Sequence, residues 1–397
     1  MNLGSLPLWA RVVATIALLL ALACPSFAQP IDSKTLLKLF PSPHENFDVH
    51  RSQVRAYILA TQLQHRTESD VEFNLPFELN ANDSVPYRGK FLLIHGLNDS
   101  PYVWQDMAEE IAKRGFDVRA ILLPGHGNTP RTQLNISYRN WVNAARKHMQ
   151  FYHEPDKNFY IGGFSLGGVI GTLLAAESDD VDGLVLFSPA FRSRMHHLLR
   201  WAGLYSLTKK WAFGQMLIED NPVKYNSIPI NNGSQYYKTT QALKRRWPKK
   251  RLNIPVLVVA SNTDSVVDIE YMEQSFEYGF IGNKHMIVYD NERAGQSNAG
   301  VGIEYRNSDF EAGRILNQSH QSVLIGPSNP LYGSDGSILV CNGNEYRVFR
   351  ACLDYDGTHW YGAQHTPSPD GVPVARTTYN PDFDYILEQF DRLFLPQ

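Results

Sequence analysis

The 397-residue sequence has few cysteines and no excess of charge of one sign. Its three cysteines, 37 basic and 40 acidic residues give a formal net charge of -3, which argues against a nucleic-acid partner. Neither HExxH nor CxxC occurs, and the adjacent His196 and His197 cannot share one helix face. The sequence therefore predicts no metal site and no cofactor. It also lacks internal repeats and low-complexity tracts, and its composition is that of an ordinary globular protein.

A long hydrophobic run is lacking as well. The most apolar segment, residues 12–23, is shorter than the about 20 residues that span a bilayer. Arg11 precedes it, and small residues at Ser26 and Ala28 follow it, which is the pattern of a secretory signal peptide. We expect residues 1–28 to be removed and the mature chain to be exported, to a periplasm or to the medium. Cys24 leaves an alternative, a lipid-anchored chain.

Without that segment two cysteines remain, Cys341 and Cys352. In an exported chain an even number of cysteines close in sequence favours a disulfide. The intervening sequence resembles a β-hairpin, which would bring the two side chains together. We therefore predict a bond between Cys341 and Cys352, with two free thiols in a packed strand pair as the alternative.

Short apolar runs alternate with helical patterns along the chain. Strands that are apolar throughout and separated by helices predict a parallel sheet covered on both faces, so the fold class is α/β. The predicted strands are 90–96, 118–125, 158–164, 183–189, 254–261 and 285–290.

Two regions interrupt this alternation. Residues 191–251 contain no strand-like run and many aromatic and basic residues, so we interpret them as a helical cap over the sheet. A region rich in Gly, Asn, Ser and Pro is interpreted as loop-rich insertions at 291–318 and 326–380, followed by a final helix. The core is then formed by two parts of the chain, 29–190 and 252–397.

The segment from Gly163 to Gly167 has the pattern G-x-S-x-G, with Ser165 between a predicted strand and a predicted helix. This is the context of a nucleophile elbow, a strained turn that presents the serine hydroxyl at the carboxyl end of the sheet. Glycines flank the serine because larger side chains would collide there. Alone, the pattern is more often a structural turn, so a catalytic role depends on partners.

A serine hydroxyl becomes a nucleophile when a base takes its proton and an acid orients that base. Asp264 follows the strand 254–261, and His320 lies on a later loop before the last helix. The order Ser165, Asp264, His320 is the one expected for this arrangement. Asp268 and Asp290 are alternative acids, interpreted as a helix-start residue and a turn residue.

Other histidines compete with His320. His285 opens a predicted strand, while His359 and His365 lie in the late insertion, where His365 is the stronger rival. His95 stands at a strand end beside a glycine, which favours a loop-shaping role.

The chemistry also requires two backbone N–H groups where negative charge develops on the substrate oxygen. Leu166, the residue after the serine, is the candidate for one of these oxyanion donors. Leu97, on the loop after "LLIHG", is the candidate for the other.

Four segments, "LLIHGLNDSPYVW", "LLPGHGNTP", "GFSLGG" and "ASNTDSVVD", occur in this order. With them the chain resembles the α/β-hydrolase superfamily, in particular its monoacylglycerol-lipase and carboxylesterase branch, over residues 88–325. The resemblance implies an eight-stranded, mostly parallel sheet, a helical cap between strands six and seven, and the triad and oxyanion donors named above. His126 in the "PGHG" loop is interpreted as scaffold. The two insertions are departures from the compact members of the superfamily. Because of them, the resemblance does not define the substrate pocket.

The expected function is a serine hydrolase that cleaves carboxylic esters through an acyl-enzyme on Ser165. Its substrate would be a small or lipid-like ester, such as a monoacylglycerol or a lysophospholipid. A thioesterase or a peptidase on the same fold is the alternative, followed by a non-catalytic binding protein. The basic run 244–251 is interpreted as a solvated connector, with contact to an anionic membrane surface as its alternative.

Aromatic residues are frequent in the predicted cap. They indicate a small core that holds the cap together, an apolar wall for an acyl chain, or both. They are Trp201, Tyr205, Trp211, Phe213, Tyr225, Tyr236 and Tyr237.

Overall fold

The computed structural model describes residues 32–61, 67–341 and 346–396. The predicted signal segment 1–28 and Cys24 lie outside these ranges. Within them, no helix has both the length and the apolar character needed to cross a membrane.

A nine-stranded, mostly parallel sheet forms the centre of the molecule. Its strands are β1 (Phe77–Leu79), β2 (Gly89–Ile94), β3 (Phe116–Ile121), β4 (Phe159–Phe164), β5 (Gly183–Phe187), β6 (Val256–Ser261), β7 (Lys284–Tyr289), β8 (Ser297–Asn298) and β9 (Ile303–Arg306). Their spatial order is β1-β3-β2-β4-β5-β6-β7-β9-β8. Only the edge strands β1 and β8 pair antiparallel within this sheet. The predicted α/β class is confirmed, and the sheet has nine strands rather than the eight expected.

Helices cover both faces of the sheet. In chain order the described helices are α1 (Ser33–Lys38), α2 (Phe47–Leu59), α3 (Gln105–Lys113), α4 (Tyr138–Tyr152), α5 (Leu166–Glu177), α6 (His196–Leu199), α7 (Ala202–Tyr205), α8 (Ile230–Arg246), α9 (Ile269–Gly279), α10 (Tyr346–Leu353) and α11 (Phe383–Phe394). Short 3₁₀ turns span Ser69–Asn74, Pro101–Trp104, Pro130–Asn135, Glu311–Gly313 and Ser322–Leu324.

The two faces have separate apolar cores. One core contains residues of α4, α5, α8 and α9, and the other contains residues of α3 and α11. Strands β4, β5 and β6 are buried along their whole length because they lie between these two layers. This explains why the corresponding segments are apolar throughout instead of alternating. Each of the six predicted runs overlaps one strand, from β2 to β7, and β2, β3 and β7 begin one or two residues before the predicted run.

The helical segment 191–251 lies between β5 and β6 and contains α6, α7 and α8. The resemblance implied a cap between strands six and seven, and this position was wrong by one strand. The segment lies between the fifth and sixth strands because only one short strand, β1, precedes β2. Tyr236 and Leu243 of α8 belong to the core that also contains α5. The division of the chain into core, cap and insertions stays a prediction.

The predicted hairpin between the two cysteines was wrong. The sequence "YRVFRACL" forms the helix α10. Its apolar residues are adjacent or four apart, a helical spacing rather than the alternation of a strand. A separate two-stranded parallel sheet, β10 (Trp360–Gly362) and β11 (Val374–Arg376), follows it. A disulfide nevertheless joins Cys341 to Cys352, with 5.8 Å between their Cα atoms.

Four buried histidines form two pairs whose rings contact each other. The rings of His50 and His148 are 5.0 Å apart, and those of His95 and His126 are 4.9 Å apart. Burial lowers the pKa of His50 and of His126 to about 4 and lowers the pKa of His95 and His148 well below 6.5. All four are therefore neutral in the folded protein near pH 7.

This burial predicts a loss of stability in mild acid. Below about pH 6.5 the unfolded chain binds protons at these histidines. In the folded chain His50 and His126 do not bind a proton until about pH 4, and the lowered pKa of His95 and His148 acts in the same direction. The stabilisation is complete above pH 6.5 and is lost as the pH falls from there toward 4, by up to about 1.4 kcal/mol per pH unit for each histidine. Urea unfolding at pH 7 and pH 5 measures how the free energy of unfolding changes with pH, which is called the slope below.

Two variants separate the contribution of the histidines to this pH dependence from the contribution of the carboxyl groups. His148→Phe keeps an aromatic ring in the core but removes one titrating group, so the slope should decrease. His197→Gln, which replaces an exposed histidine outside both buried pairs, should leave the slope as it is in the unmodified protein. An unchanged slope in His148→Phe would contradict the account.

Candidate active site

The turn between β4 and α5 has the geometry of a nucleophile elbow. Ser165 has φ 53° and ψ -113°, a backbone conformation that residues other than glycine rarely adopt. A Cβ atom on Gly163 would lie 2.6 Å from the carbonyl oxygen of Gly167, and one on Gly167 would lie 2.0 Å from that of Ile94. Both positions therefore require glycine, as the sequence predicts.

Backbone hydrogen bonds hold the elbow against the next strand. The Ser165 N–H donates to the carbonyl oxygen of Phe187 at 3.0 Å, and the Ser165 carbonyl oxygen accepts from the N–H of Ala190 at 3.1 Å. The end of β5 thus fixes the strained turn from both sides of the serine.

The structure brings Ser165, His320 and Asp264 together. His320 Nε2 lies 2.9 Å from Ser165 Oγ, and His320 Nδ1 lies 2.6 Å from Asp264 Oδ2. An ionised carboxylate has no proton to donate, so Nδ1 carries the imidazole proton and Nε2 accepts from the serine hydroxyl. In this tautomer the imidazole can take the serine proton.

Asp264 is fully buried, and its two oxygens have different partners. Oδ2 faces His320, while Oδ1 accepts hydrogen bonds from the backbone N–H groups of Val266 at 2.7 Å and Val267 at 3.0 Å. A buried carboxylate is costly unless it is hydrogen-bonded, and these donors supply that compensation. They also fix the carboxylate plane so that Oδ2 points at the imidazole.

Three hydroxyl groups at strand ends hold the His320 loop on the core side. Ser188 Oγ donates to the carbonyl oxygen of His320 at 3.0 Å. Ser261 Oγ and Thr263 Oγ1 both donate to the carbonyl oxygen of Gln318, at 2.8 and 2.7 Å. Sequence reasoning missed these residues; the signal was their position directly after β5 and at the end of β6.

Two histidines shape the loop that carries Leu97. His95 Nε2 accepts from the N–H of Leu123 at 3.0 Å, and His126 Nε2 accepts from the N–H of Asn98 at 3.1 Å. The Nδ1 atoms therefore carry the protons, which face backbone carbonyl oxygens. Both histidines are part of the scaffold, as predicted.

The same loop is fastened to segment 221–232 through Asn98. Asn98 adopts a φ of 64°, and its carbonyl oxygen accepts from the N–H of Tyr225 at 2.8 Å. Its side-chain oxygen accepts from Asn232 Nδ2, also at 2.8 Å. These bonds fix the backbone beside Leu97.

Leu166, as the first residue of α5, has an N–H without a helical acceptor. The donor roles of Leu97 and Leu166 stay predictions.

Two charged side chains beside His320 were not recognised in the sequence. Asp99 is buried, and burial raises its pKa to about 6. Burial lowers the pKa of Lys224, whose Nζ donates to Gln321 Oε1 at 2.7 Å. Asp99 also interacts electrostatically with Lys224 and with His320. The charges around the imidazole are therefore of both signs.

The alternative acids have other partners. Asp268 caps the N-terminus of α9 and pairs with Arg192, and Asp290 pairs with Arg293. The helix-start and turn interpretations of these two residues are confirmed.

The alternative histidines have other surroundings. His285 is the second residue of β7, and its Nε2 lies 3.2 Å from Glu304 Oε2. His359 Nε2 lies 2.8 Å from the carbonyl oxygen of Cys352, and His365 adopts a φ of 65° on the turn after β10. None of these is the imidazole at Ser165.

The cap aromatics divide into three groups, one of which, Trp211 and Tyr237, is partly buried. Tyr225 and Tyr236 are buried, whereas Trp201, Tyr205 and Phe213 are more than half exposed.

As for metals, the described ranges contain no group of three or more His, Cys, Asp or Glu residues that could hold an ion.

Solved structures with a similar chain path include lipolytic enzymes. One, from the metagenome-derived pair LipS and LipT, has a TM-score of 0.47 at 19% identity and covers 54% of this chain and 87% of its own. A monoacylglycerol lipase of Paleococcus ferrophilus has a TM-score of 0.44 at 20% identity and covers 54% of this chain and 88% of its own.

A thermostable monoacylglycerol lipase of Bacillus sp. (strain H-257) is 27% identical over 99 residues, which span 25% of this chain and 40% of that relative. A family model described as serine aminopeptidase, S33 (Hydrolase_4), matches residues 86–293, more than half of the chain. The chain therefore belongs to this S33 family of α/β hydrolases.

Proposed function

We propose that the protein is a serine hydrolase that cleaves carboxylic esters, with Ser165 as the nucleophile. The observation that carries the proposal is the pair of hydrogen bonds from Ser165 Oγ to His320 Nε2, 2.9 Å, and from His320 Nδ1 to Asp264 Oδ2, 2.6 Å. A hydroxyl, a base and an orienting acid in this geometry meet the requirement for nucleophilic catalysis.

The reaction proceeds in two halves. Ser165 Oγ attacks the acyl carbon while His320 Nε2 takes its proton, and the Asp264 carboxylate stabilises the resulting imidazolium. The N–H groups of Leu97 and Leu166 stabilise the negative charge that develops on the carbonyl oxygen. The imidazolium returns its proton to the departing alcohol, which leaves an acyl-enzyme. Water, activated by the same imidazole, then releases the acid.

The substrate proposed is a small or lipid-like ester. Support comes from the apolar cap surface described below and from the monoacylglycerol lipase among the similar proteins. A peptidase or thioesterase is the second candidate, because the matching family is described as a serine aminopeptidase. p-Nitrophenyl esters of increasing chain length, an acyl thioester and an aminoacyl anilide, assayed side by side, distinguish the three activities.

We further propose that the protein acts outside the cytoplasm. The signal-like segment 1–28 supports export, and so does the bond between Cys341 and Cys352, since disulfides persist mainly in oxidising compartments. Mass mapping of the protein isolated from its native compartment, without reductant, tests this placement; an intact residue 1 and free thiols would contradict it.

A serine replacement tests the nucleophile. Ser165→Ala removes Oγ, so ester hydrolysis should fall by about 10³-fold or more, and labelling by a fluorophosphonate probe should disappear. Purified protein, p-nitrophenyl butyrate and a labelled gel are sufficient for the measurement.

The matched control is Ser334→Ala, an exposed serine that should leave both readouts unchanged. If Ser165→Ala still reacts with the probe, or hydrolyses the ester at the unmodified rate, the nucleophile is another residue.

The cap presents an unusually apolar surface around α6 and α7. Six side chains there are more than half exposed: Met195, Leu198, Trp201, Leu204, Tyr205 and Leu207. Basic residues are interspersed with them, at Arg200, Lys209 and Lys210. Apolar side chains with basic neighbours suit an anionic membrane surface. We propose that this cap surface, rather than the basic run 244–251 alone, makes the peripheral membrane contact.

Removing apolar side chains tests the cap surface. The double variant Leu204→Ser with Leu207→Ser, at positions 64% and 79% exposed, should bind less to sedimented vesicles of anionic phospholipid. Hydrolysis of a soluble short-chain ester should not change, because neither side chain belongs to the site.

The matched control replaces two apolar residues exposed elsewhere, Tyr278→Ser with Ile281→Ser, at 58% and 53% exposed. Equal vesicle binding by the two double variants would contradict the assignment of the surface.

A further inference from the structure

The loop that carries His320 has a second support, on the side away from the sheet. Thr377 Oγ1 donates to the carbonyl oxygen of Asn317 at 2.7 Å. Ser319 Oγ, directly before His320, donates to the carbonyl oxygen of Thr377, also at 2.7 Å. Thr377 follows β11 directly and is buried. One residue of the late insertion thus contacts the loop one and three positions before the imidazole.

Strand β10 supports the beginning of the same loop. The N–H of Leu316 donates to the carbonyl oxygen of Tyr361 at 2.7 Å, and the Tyr361 N–H donates to the carbonyl oxygen of Arg314 at 2.9 Å. The N–H of Ala363 donates to Asn317 Oδ1 at 2.6 Å. Residues 314–319 are therefore aligned with the small β10–β11 sheet as well as with the central sheet.

The disulfide lies in the core of that small sheet. Cys341 and Cys352 form a separate buried cluster with Ala375 of β11, and Tyr361 of β10 packs against it. The Arg376 N–H donates to the carbonyl oxygen of Val340, next to Cys341. A continuous series of contacts therefore runs from the disulfide, through β10 and β11, to the residue before His320.

We propose that the disulfide-stapled β10–β11 sheet positions His320 for proton transfer, and that Thr377 is the positioning residue through which it acts. The proposal rests on the proposed hydrolase function. It gives residues 326–380, which compact α/β hydrolases lack, a role in catalysis rather than in substrate contact.

The position of the His320 loop depends on hydrogen bonds from both of its sides. Between the turn Glu311–Gly313 and the turn Ser322–Leu324 the chain has no regular secondary structure, so its backbone groups depend on bonds to other elements. The core hydroxyls fix Gln318 and His320 from one side. Without the Thr377 hydroxyl the other side keeps its bonds to β10 but loses the bond at the Asn317 carbonyl, so the segment before His320 is held less firmly. A displacement near 1 Å costs on the order of 10²-fold in rate.

The test replaces one hydroxyl by a methyl group. Thr377→Val should lower kcat for a p-nitrophenyl ester between about 10- and 100-fold while KM stays the same, because substrate contacts are untouched. Thr377→Ser, which keeps the hydroxyl, should restore kcat. The matched control is Thr378→Val, since Thr378 Oγ1 makes an equivalent 2.7 Å bond to the carbonyl oxygen of Tyr332 and not to residues 314–319.

A spectroscopic readout separates this proposal from the proposed function. The proton between His320 Nδ1 and Asp264 Oδ2 should give a far-downfield NMR signal, which should broaden or disappear in Thr377→Val and persist in Thr378→Val. This readout needs no turnover. Inactivity of the unmodified protein toward every ester would overturn the hydrolase function; a normal signal and a normal kcat in Thr377→Val would overturn the positioning role.

Two further variants protect the test against misfolding. If Thr377→Val does not fold, Ser319→Ala removes the other bond to the loop and should lower kcat in the same way. The double variant Cys341→Ala with Cys352→Ala should also lower kcat at constant KM, and a reductant should lower the unmodified protein to that level without affecting the double variant. Full activity in Ser319→Ala and in the double cysteine variant would contradict the proposal.

Discussion

The proposed chemistry depends most on the hydrogen bond between His320 Nδ1 and the buried carboxylate of Asp264. This bond sets the tautomer of the imidazole, which decides whether Nε2 can accept a proton from Ser165. It joins residues 56 positions apart, so its length depends on elements that are distant in sequence. Much of the surrounding structure can be understood as fixing its two ends: backbone N–H groups hold the carboxylate, and hydroxyl groups hold the loop of the imidazole.

The elbow and the central strands could be predicted because their causes are local. Gly163 and Gly167 are required by contacts within one turn of chain and with the neighbouring strand, and the apolar runs follow from burial on both faces. The order of Ser165, Asp264 and His320 follows from the topology of a parallel sheet, whose carboxyl ends meet at one edge. These features need only short segments and their sequence.

Other features could not be predicted, because they depend on contacts between distant segments. Ser188, Ser261 and Thr263 can be placed at strand ends from the sequence, but their bonds to carbonyl oxygens of the histidine loop join segments at least 55 positions apart. The same holds for Thr377, which lies after His320 in the sequence and donates to the carbonyl oxygen of Asn317 on the histidine loop. The hairpin between the cysteines was a different kind of error. The residues between the cysteines were interpreted as a β-hairpin, although the spacing of apolar residues in α10 is helical.

The most direct test of the account is a crystal structure of the protein after reaction with a phosphonate ester, whose tetrahedral phosphorus resembles the reaction intermediate. We expect phosphorus bonded to Ser165 Oγ, His320 Nε2 within hydrogen-bonding distance of the leaving-group position, and one phosphonyl oxygen facing the N–H groups of Leu97 and Leu166. Phosphorus bonded to another residue, or a His320 side chain turned away from the adduct, would contradict the account.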